Sequence, residues 1–361
     1  MLGLLVLSSV LAISPAASGG SGPDICPADF SRWFDEARHG RLAMPEELSR
    51  NAGGYRYVLI NGLDIGMTQG CFVQNLKELQ ARGVPRASVH LIDPSASKTV
   101  AEYAPSLRSE IFRIASQGPE PLVIIAHSRG ACDALAFALM NPEFIERRVR
   151  AVFLIQGPFG GSGAADYLAG DGKPIDRQMR PLPRLGARVI GKFESRFLDD
   201  DRHAVVTSLS RKASDRFWRG MVEAHREALP VVSPRVFYVT SRTKPSRHPL
   251  FQRFTASYVD TYYGPNDGLV ALEDQTLPGV GTVLAVLDAG HTDLTHRFPS
   301  ARPQQRLRKA LVDAILMAVA RPQQSTPAVD DQLVPTSYRE TMPSPVRRRG
   351  GLVRGQTGDR R

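Results

Sequence analysis

The chain has 361 residues, 42% hydrophobic and 23% charged, which suits a folded globular protein and excludes collagen-like, disulfide-dense and wholly disordered chains. Its net charge is +10, but 39 of the 46 basic residues are Arg spread along the whole length, and aromatics are only 7%. Nucleic-acid proteins concentrate charge on a stripe with stacking rings, so the excess is read as solubility with a preference for anionic surfaces.

Residues 2–13 form the first apolar run, and its 12 residues fall short of the roughly 20 that span a bilayer. Ser14-Pro15-Ala16-Ala17-Ser18 and a Gly/Ser stretch follow, the layout of a secretory signal peptide over residues 1–18, though without Lys or Arg in front. A secreted or periplasmic location is therefore expected. Residues 19–54 are read as a helical extension. From 55 to 320 short apolar runs alternate with amphipathic stretches. Strands are predicted at 55–60, 88–92, 121–126, 149–156, 235–240 and 282–287, several of them apolar on both faces, as in a parallel sheet covered on both sides. Helices are predicted at 72–81, 100–116, 131–140 and 305–319, with Leu107, Ile111 and Ile114 on one face of the second. This alternation gives an α/β class, a doubly wound, mostly parallel sheet.

The alternation breaks at 159–232, which carries no strand-like run and is read as a helical cap over the carboxyl edge of the sheet. Within it, residues 179–198 place Leu182, Leu185, Val189, Phe193 and Phe197 on one helical face beside a basic stripe of Arg180, Arg184, Arg188, Lys192 and Arg196. Such a helix either walls the pocket or meets an anionic lipid surface. Residues 321–361, rich in Pro and Arg, have too few apolar groups to offset ordering entropy and are expected to be disordered. Cys26, Cys71 and Cys132 show no CxxC pattern and the eight His no H-E-x-x-H spacing, so no metal is expected. Cys132 reads as a buried free thiol, which leaves Cys26–Cys71 as the candidate disulfide.

The most specific signal is Ala126-His127-Ser128-Arg129-Gly130 between a predicted strand and a predicted helix. It matches the nucleophile-elbow pattern G-x-S-x-G with Ala at the first position, where small residues are needed because the turn is tight. A Ser hydroxyl needs a base held by an acid, in the order Ser, Asp/Glu, His. Asp267, in Gly264-Pro265-Asn266-Asp267-Gly268-Leu269-Val270, is the candidate acid, with Asp260 as the alternative. His291, after Asp288-Ala289-Gly290 at the end of the last strand, is the candidate base; His296, expected in the following helical region, is its rival. Asn61-Gly62-Leu63 after the first sheet strand supplies an oxyanion loop, with the backbone N–H groups of Leu63 and Arg129 as donors.

Through these motifs, residues 55–320 resemble the α/β-hydrolase superfamily, and within it bacterial secreted lipases and esterases. The Asp267-Gly268-Leu269-Val270 element is the most telling of them, and Asn61 departs from the His common at that place in lipases. The resemblance implies an α/β-hydrolase fold with an inserted helical cap. It also implies a serine hydrolase of carboxylic esters, small-molecule or lipid, with no organic cofactor and no nucleic-acid partner. A calcium ion beside the catalytic His is implied only through Asp293, two residues after His291. Acyl transfer, thioester hydrolysis or a non-catalytic binding role on the same scaffold are the alternatives.

Overall fold

The computed structural model describes residues 22–63, 69–173, 200–248, 250–297 and 302–320. The expected leader (1–18), the basic amphipathic stretch (179–198) and the tail (321–361) lie outside these residues. Two helices, α1 (Pro27–Arg38) and α2 (Glu46–Ala52), precede β1 (Arg56–Ile60). Then come β2 (Gln69–Cys71), α3 (Val73–Ala81), β3 (Val89–Ile92), α4 (Val100–Ala115), β4 (Leu122–His127), α5 (Arg129–Met140), α6 (Pro142–Arg148) and β5 (Val149–Ile155). Between β5 and β6 (Val236–Arg242) lie α7 (Gly163–Leu168), α8 (Asp200–Ser208), α9 (Arg211–Ala224) and α10 (Leu229–Val232). The last elements are α11 (Leu250–Tyr263), β7 (Thr282–Asp288), β8 (His296–Arg297) and α12 (Arg302–Val319).

Six strands form one parallel sheet in the order β3-β1-β4-β5-β6-β7. All six predicted strands are present, within a residue or two of the expected ends. Their apolar runs are continuous because alternate side chains enter different cores. Val58, Ile60, Ile124, Ala126, Val152 and Leu154 pack with α4, α5 and α6 on one face. Tyr57, Leu59, Val123, Ile125, Phe153 and Ile155 pack with α1, α3 and α12 on the other. Helix α4 starts at a capping box between Thr99 and Glu102, and its predicted face, Leu107, Ile111 and Ile114, is buried. The edge strand β7 differs: Val283 and Val286 are exposed.

The chain leaves β1 towards β3 and then returns to the other side of β1 as β4. Strand order therefore reverses between β1 and β4, and a crevice opens at their carboxyl ends. Residues 61–63 and the turn at Ser128 both sit at that crevice. Strands β5 and β6 are direct neighbours, with Val152 opposite Val236, although α7 to α10 lie between them in sequence.

The segment before β1 is not an appendage. Ile25, Phe30, Trp33 and Phe34 are buried in the second core, and the Phe30 ring stacks on Phe153 at 6.4 Å. Phe30 is fully buried, so Phe30→Ala is expected to lower unfolding free energy by roughly 3–5 kcal/mol. Chemical denaturation measures this; a loss below about 1 kcal/mol would mean that α1 does not contribute to the core.

Candidate active site

Ser128 occupies the turn between β4 and α5 with φ 54° and ψ −129°, a backbone region L-residues rarely adopt, costing of order 1–3 kcal/mol. Its N–H donates to Ile155 O at 2.9 Å, which pins the turn to β5. The turn closes only because its neighbours are small. A Cβ at Gly130 would overlap the Asn61 carbonyl oxygen, and one at Gly62 would lie 2.9 Å from Ser128 Cβ. Thus the Asn61-Gly62-Leu63 loop lies directly against the elbow. Asn61 is buried and donates through Nδ2 to the Asp93 carboxylate beyond β3, so the Asn that replaces the expected His anchors this loop. The backbone N–H groups of Leu63 and Arg129 have no hydrogen-bond partner among the described residues.

The structure brings the three predicted side chains together. His291 Nε2 lies 2.8 Å from Ser128 Oγ, and its Nδ1 lies 2.8 Å from Asp267 Oδ2. Asp267 is fully buried; its Oδ1 accepts from Leu269 N at 3.0 Å and Val270 N at 2.9 Å. Its carbonyl accepts from His291 N at 2.7 Å, so acid and base loops are joined through backbone as well as side chain. Asn266 fixes the same turn, accepting from Gly268 N at 2.8 Å and donating to Ala256 O at 3.1 Å. With Asp267 holding the Nδ1 proton, His291 Nε2 faces the hydroxyl as an acceptor. Ser128 is half-buried and hence reachable, whereas the acid is not.

The rivals fall elsewhere. Asp260 is exposed on α11. His296 is not in a helix but in β8, buried, with its ring 5.2 Å from that of His127 rather than facing Ser128. Burial pushes its affinity for a proton down, to a pKa of about 3. Asp293 Oδ2 accepts from Gly290 N at 2.8 Å and Oδ1 from Gln304 at 2.5 Å, so this carboxylate ties the His291 loop to α12. Cys26 is exposed and Cys71 buried, both free, and Cys132 is a buried free thiol as expected.

Four side chains that carry no sequence signal also shape the site. His127 Nε2 donates to His291 O at 2.7 Å; burial first, then the neighbouring His291 and His296, holds this ring neutral. Gln156, at φ 52° beyond β5, donates to Gly290 O at 3.1 Å. Gln275 donates to Val270 O at 3.2 Å and accepts from Ser241 N at 2.7 Å. His248 fills the space above two glycines: a Cβ at Gly268 would lie 2.7 Å, and one at Gly290 3.2 Å, from its ring. Of these, only His127 lies within a motif, at a position where the pattern accepts any residue.

No family model matches the chain. Among curated relatives it is 24% identical over 200 residues to a tRNA dimethylallyltransferase of Rhodococcus jostii (strain RHA1), covering 48% of this chain and 61% of that protein. A tRNA dimethylallyltransferase of Mycolicibacterium vanbaalenii is 24% identical over 192 residues, 46% of this chain and 58% of that protein. The chain thus spans about three fifths of the length of these relatives, and such identity shows neither family nor activity. Among solved structures it is similar to a metagenomic carboxyl esterase, with 22% identity, a TM-score of 0.54 and coverage of 73% of this chain and 74% of that one. It is also similar to the mature form of a Bacillus licheniformis lipase, with 16% identity, a TM-score of 0.52 and coverage of 74% and 92%. These likenesses, with the parallel sheet and its strand order, show an α/β-hydrolase fold.

His248 gives the site a measurable acid response. Burial holds its pKa below the ordinary 6.5, with nearby Asp267 opposing that shift. Below about pH 6.5 the unfolded chain binds this proton more readily than the folded chain does, so the group's contribution to stability falls as pH drops towards its folded value, by at most about 1.4 kcal/mol per pH unit. Denaturation of wild type and His248→Gln at pH 6.5 and just below should show a shallower loss in the variant. Equal slopes would mean that His248 protonates freely in the folded protein.

Proposed function

We propose that the protein is a serine hydrolase of carboxylic esters, acting through Ser128, His291 and Asp267. The observation that carries the reading is the hydrogen-bonded chain Ser128–His291–Asp267, 2.8 Å at each link, near the Leu63 and Arg129 backbone N–H groups, which have no partner among the described residues. Ser128 Oγ attacks the acyl carbon while His291 Nε2 takes its proton. The carbonyl oxygen becomes an oxyanion and accepts from the N–H groups of Leu63 and Arg129. Asp267 holds the imidazolium that forms. The acyl–oxygen bond then breaks, the alcohol leaves with the proton from Nε2, and water repeats the sequence on the acyl-enzyme. The strained Ser128 backbone and the start of α5 behind it support this, since the helix end adds partial positive charge near the oxyanion.

The carboxyl esterase and the lipase of the same fold agree with an ester substrate. Export rests on the apolar segment 2–13, and contact with an anionic lipid surface on the sequence pattern of 179–198 alone.

A fluorophosphonate probe is expected to label the wild type at one site and to leave Ser128→Ala unlabelled. On p-nitrophenyl esters of graded chain length, Ser128→Ala and His291→Ala should lose roughly 10³–10⁶-fold in kcat, with Asp267→Asn mildest and the losses non-additive. A labelled Ser128→Ala, or an Asp267→Asn variant of native turnover, would overturn the assignment. A wild type that neither labels nor turns over ester would leave a binding protein on this scaffold.

A further inference from the structure

Beside the elbow, three side chains that the proposed chemistry does not use as acid, base or nucleophile face one another. Cys71 ends β2, His127 ends β4 and His296 begins β8. All three are buried, and one ligand atom from each lies within 4.8 Å of the other two. Linear spacing gives no hint of this group, because its members are 56 and 169 residues apart and meet only when the β2–β8 ribbon folds onto the end of β4.

Each of the two imidazoles is held through one ring nitrogen. His127 commits its Nε2–H to His291 O at 2.7 Å, which leaves the Nδ1 lone pair facing Cys71 Sγ at 3.9 Å. A backbone carbonyl that fixes the tautomer of a ligating imidazole from behind is the usual outer support of a metal-bound His. His296 pairs its Nδ1 with Thr295 Oγ1 at 2.9 Å, and its Nε2 has no hydrogen-bond partner among the described residues. Around Zn2+, S and N donors at about 2.3 and 2.0–2.1 Å stand about 3.5 Å apart in a tetrahedron, so the present group needs to close by about 1 Å.

We propose that Cys71, His127 and His296 form a site for a borderline-soft divalent cation of the zinc class, with a fourth position left to water. One sulfur and two imidazole nitrogens favour such a cation over Mg2+ or Ca2+, which take oxygen. Binding exchanges the Cys71 thiol proton for the cation. The site would staple the β2–β8 ribbon, which pairs at two positions among the described residues, to the strand that ends in the elbow turn. It is independent of whether the protein hydrolyses esters.

The test uses the full chain, with thiols reduced, stripped by a chelator and desalted. Added Co2+ should give a thiolate-to-cobalt charge-transfer band that saturates at about one equivalent, as a single three-ligand site requires, and that Zn2+ but not Mg2+ or Ca2+ displaces. The band should vanish in Cys71→Ser and persist in Cys26→Ser. In His296→Gln, Zn2+ affinity should fall at least about tenfold with near-ultraviolet circular dichroism unchanged. No band in the wild type, or a band kept by Cys71→Ser, would overturn the site. If Cys71→Ser does not fold, thermal melts of His296→Gln decide: Zn2+ should raise the wild-type Tm and leave the variant's unmoved, and an equal rise in both sinks the proposal.

Discussion

Gly130 lies against the carbonyl of Asn61 with no room for a methyl group, and Gly62 lies against Ser128. This contact joins the ends of β1 and β4 at the point where strand order reverses. The cost is a backbone conformation at Ser128 worth of order 1–3 kcal/mol of strain, held by the fully buried strands on either side. A turn of this kind survives only where rigid neighbours over-determine it, and β1, β4 and β5 do so with continuous apolar burial on both faces.

His291, the proposed base, needs a different support, because a loop cannot be held by apolar packing alone. The loop around His291 is tied by polar groups instead: His127 to the His291 carbonyl, Gln156 to the Gly290 carbonyl, Asp293 to the Gly290 N–H and Asp267 to the His291 N–H. Each buried backbone group is thereby paired, which avoids a desolvation penalty of about 1–3 kcal/mol apiece. His127 does this work as a neutral ring. Burial keeps it uncharged, so the base next to it is not opposed by a second positive charge.

Much of this was legible in the sequence, for reasons that differ by element. The strands could be read because parallel strands under two layers of helix are apolar without interruption, and the elbow because its sterics demand small residues at fixed offsets. Asp267 and His291 could be placed by chain order and by the turns that carry them. Gln156 could not, since its role comes from a positive φ in a residue type that gives no warning. His296 was misplaced because a two-residue strand has no periodicity to read. The contribution of α1 to the core was hidden for another reason: Phe30, Trp33 and Phe34 look like any amphipathic helix until the partner, Phe153 on the far strand, is known. Tertiary clusters such as Cys71, His127 and His296 are invisible to any spacing rule.

The cap between β5 and β6 is bound to the rest of the fold by two kinds of contact with different consequences. Trp218 of α9 is buried against Phe159 at 5.3 Å and belongs to the main core. The base of the cap is polar. Ser162 Oγ donates to Leu269 O at 2.7 Å, and Gly160 N donates to Asp274 O at 2.9 Å. Arg211, which starts α9, pairs with the Asp274 carboxylate and donates its N–H to Asp166 at 2.8 Å. Burial pushes the Asp274 carboxyl up to about 7, against the pull of Arg211. Leu269, which receives the Ser162 hydroxyl on its carbonyl, donates its own N–H to Asp267. The root of the cap and the carboxylate that orients the base are therefore two sides of one turn. Leu269 O and Val270 N belong to one peptide unit, whose oxygen accepts from Ser162 and whose N–H donates to Asp267 at 2.9 Å, so the segment after β5 and the Asp267 carboxylate meet at a single peptide.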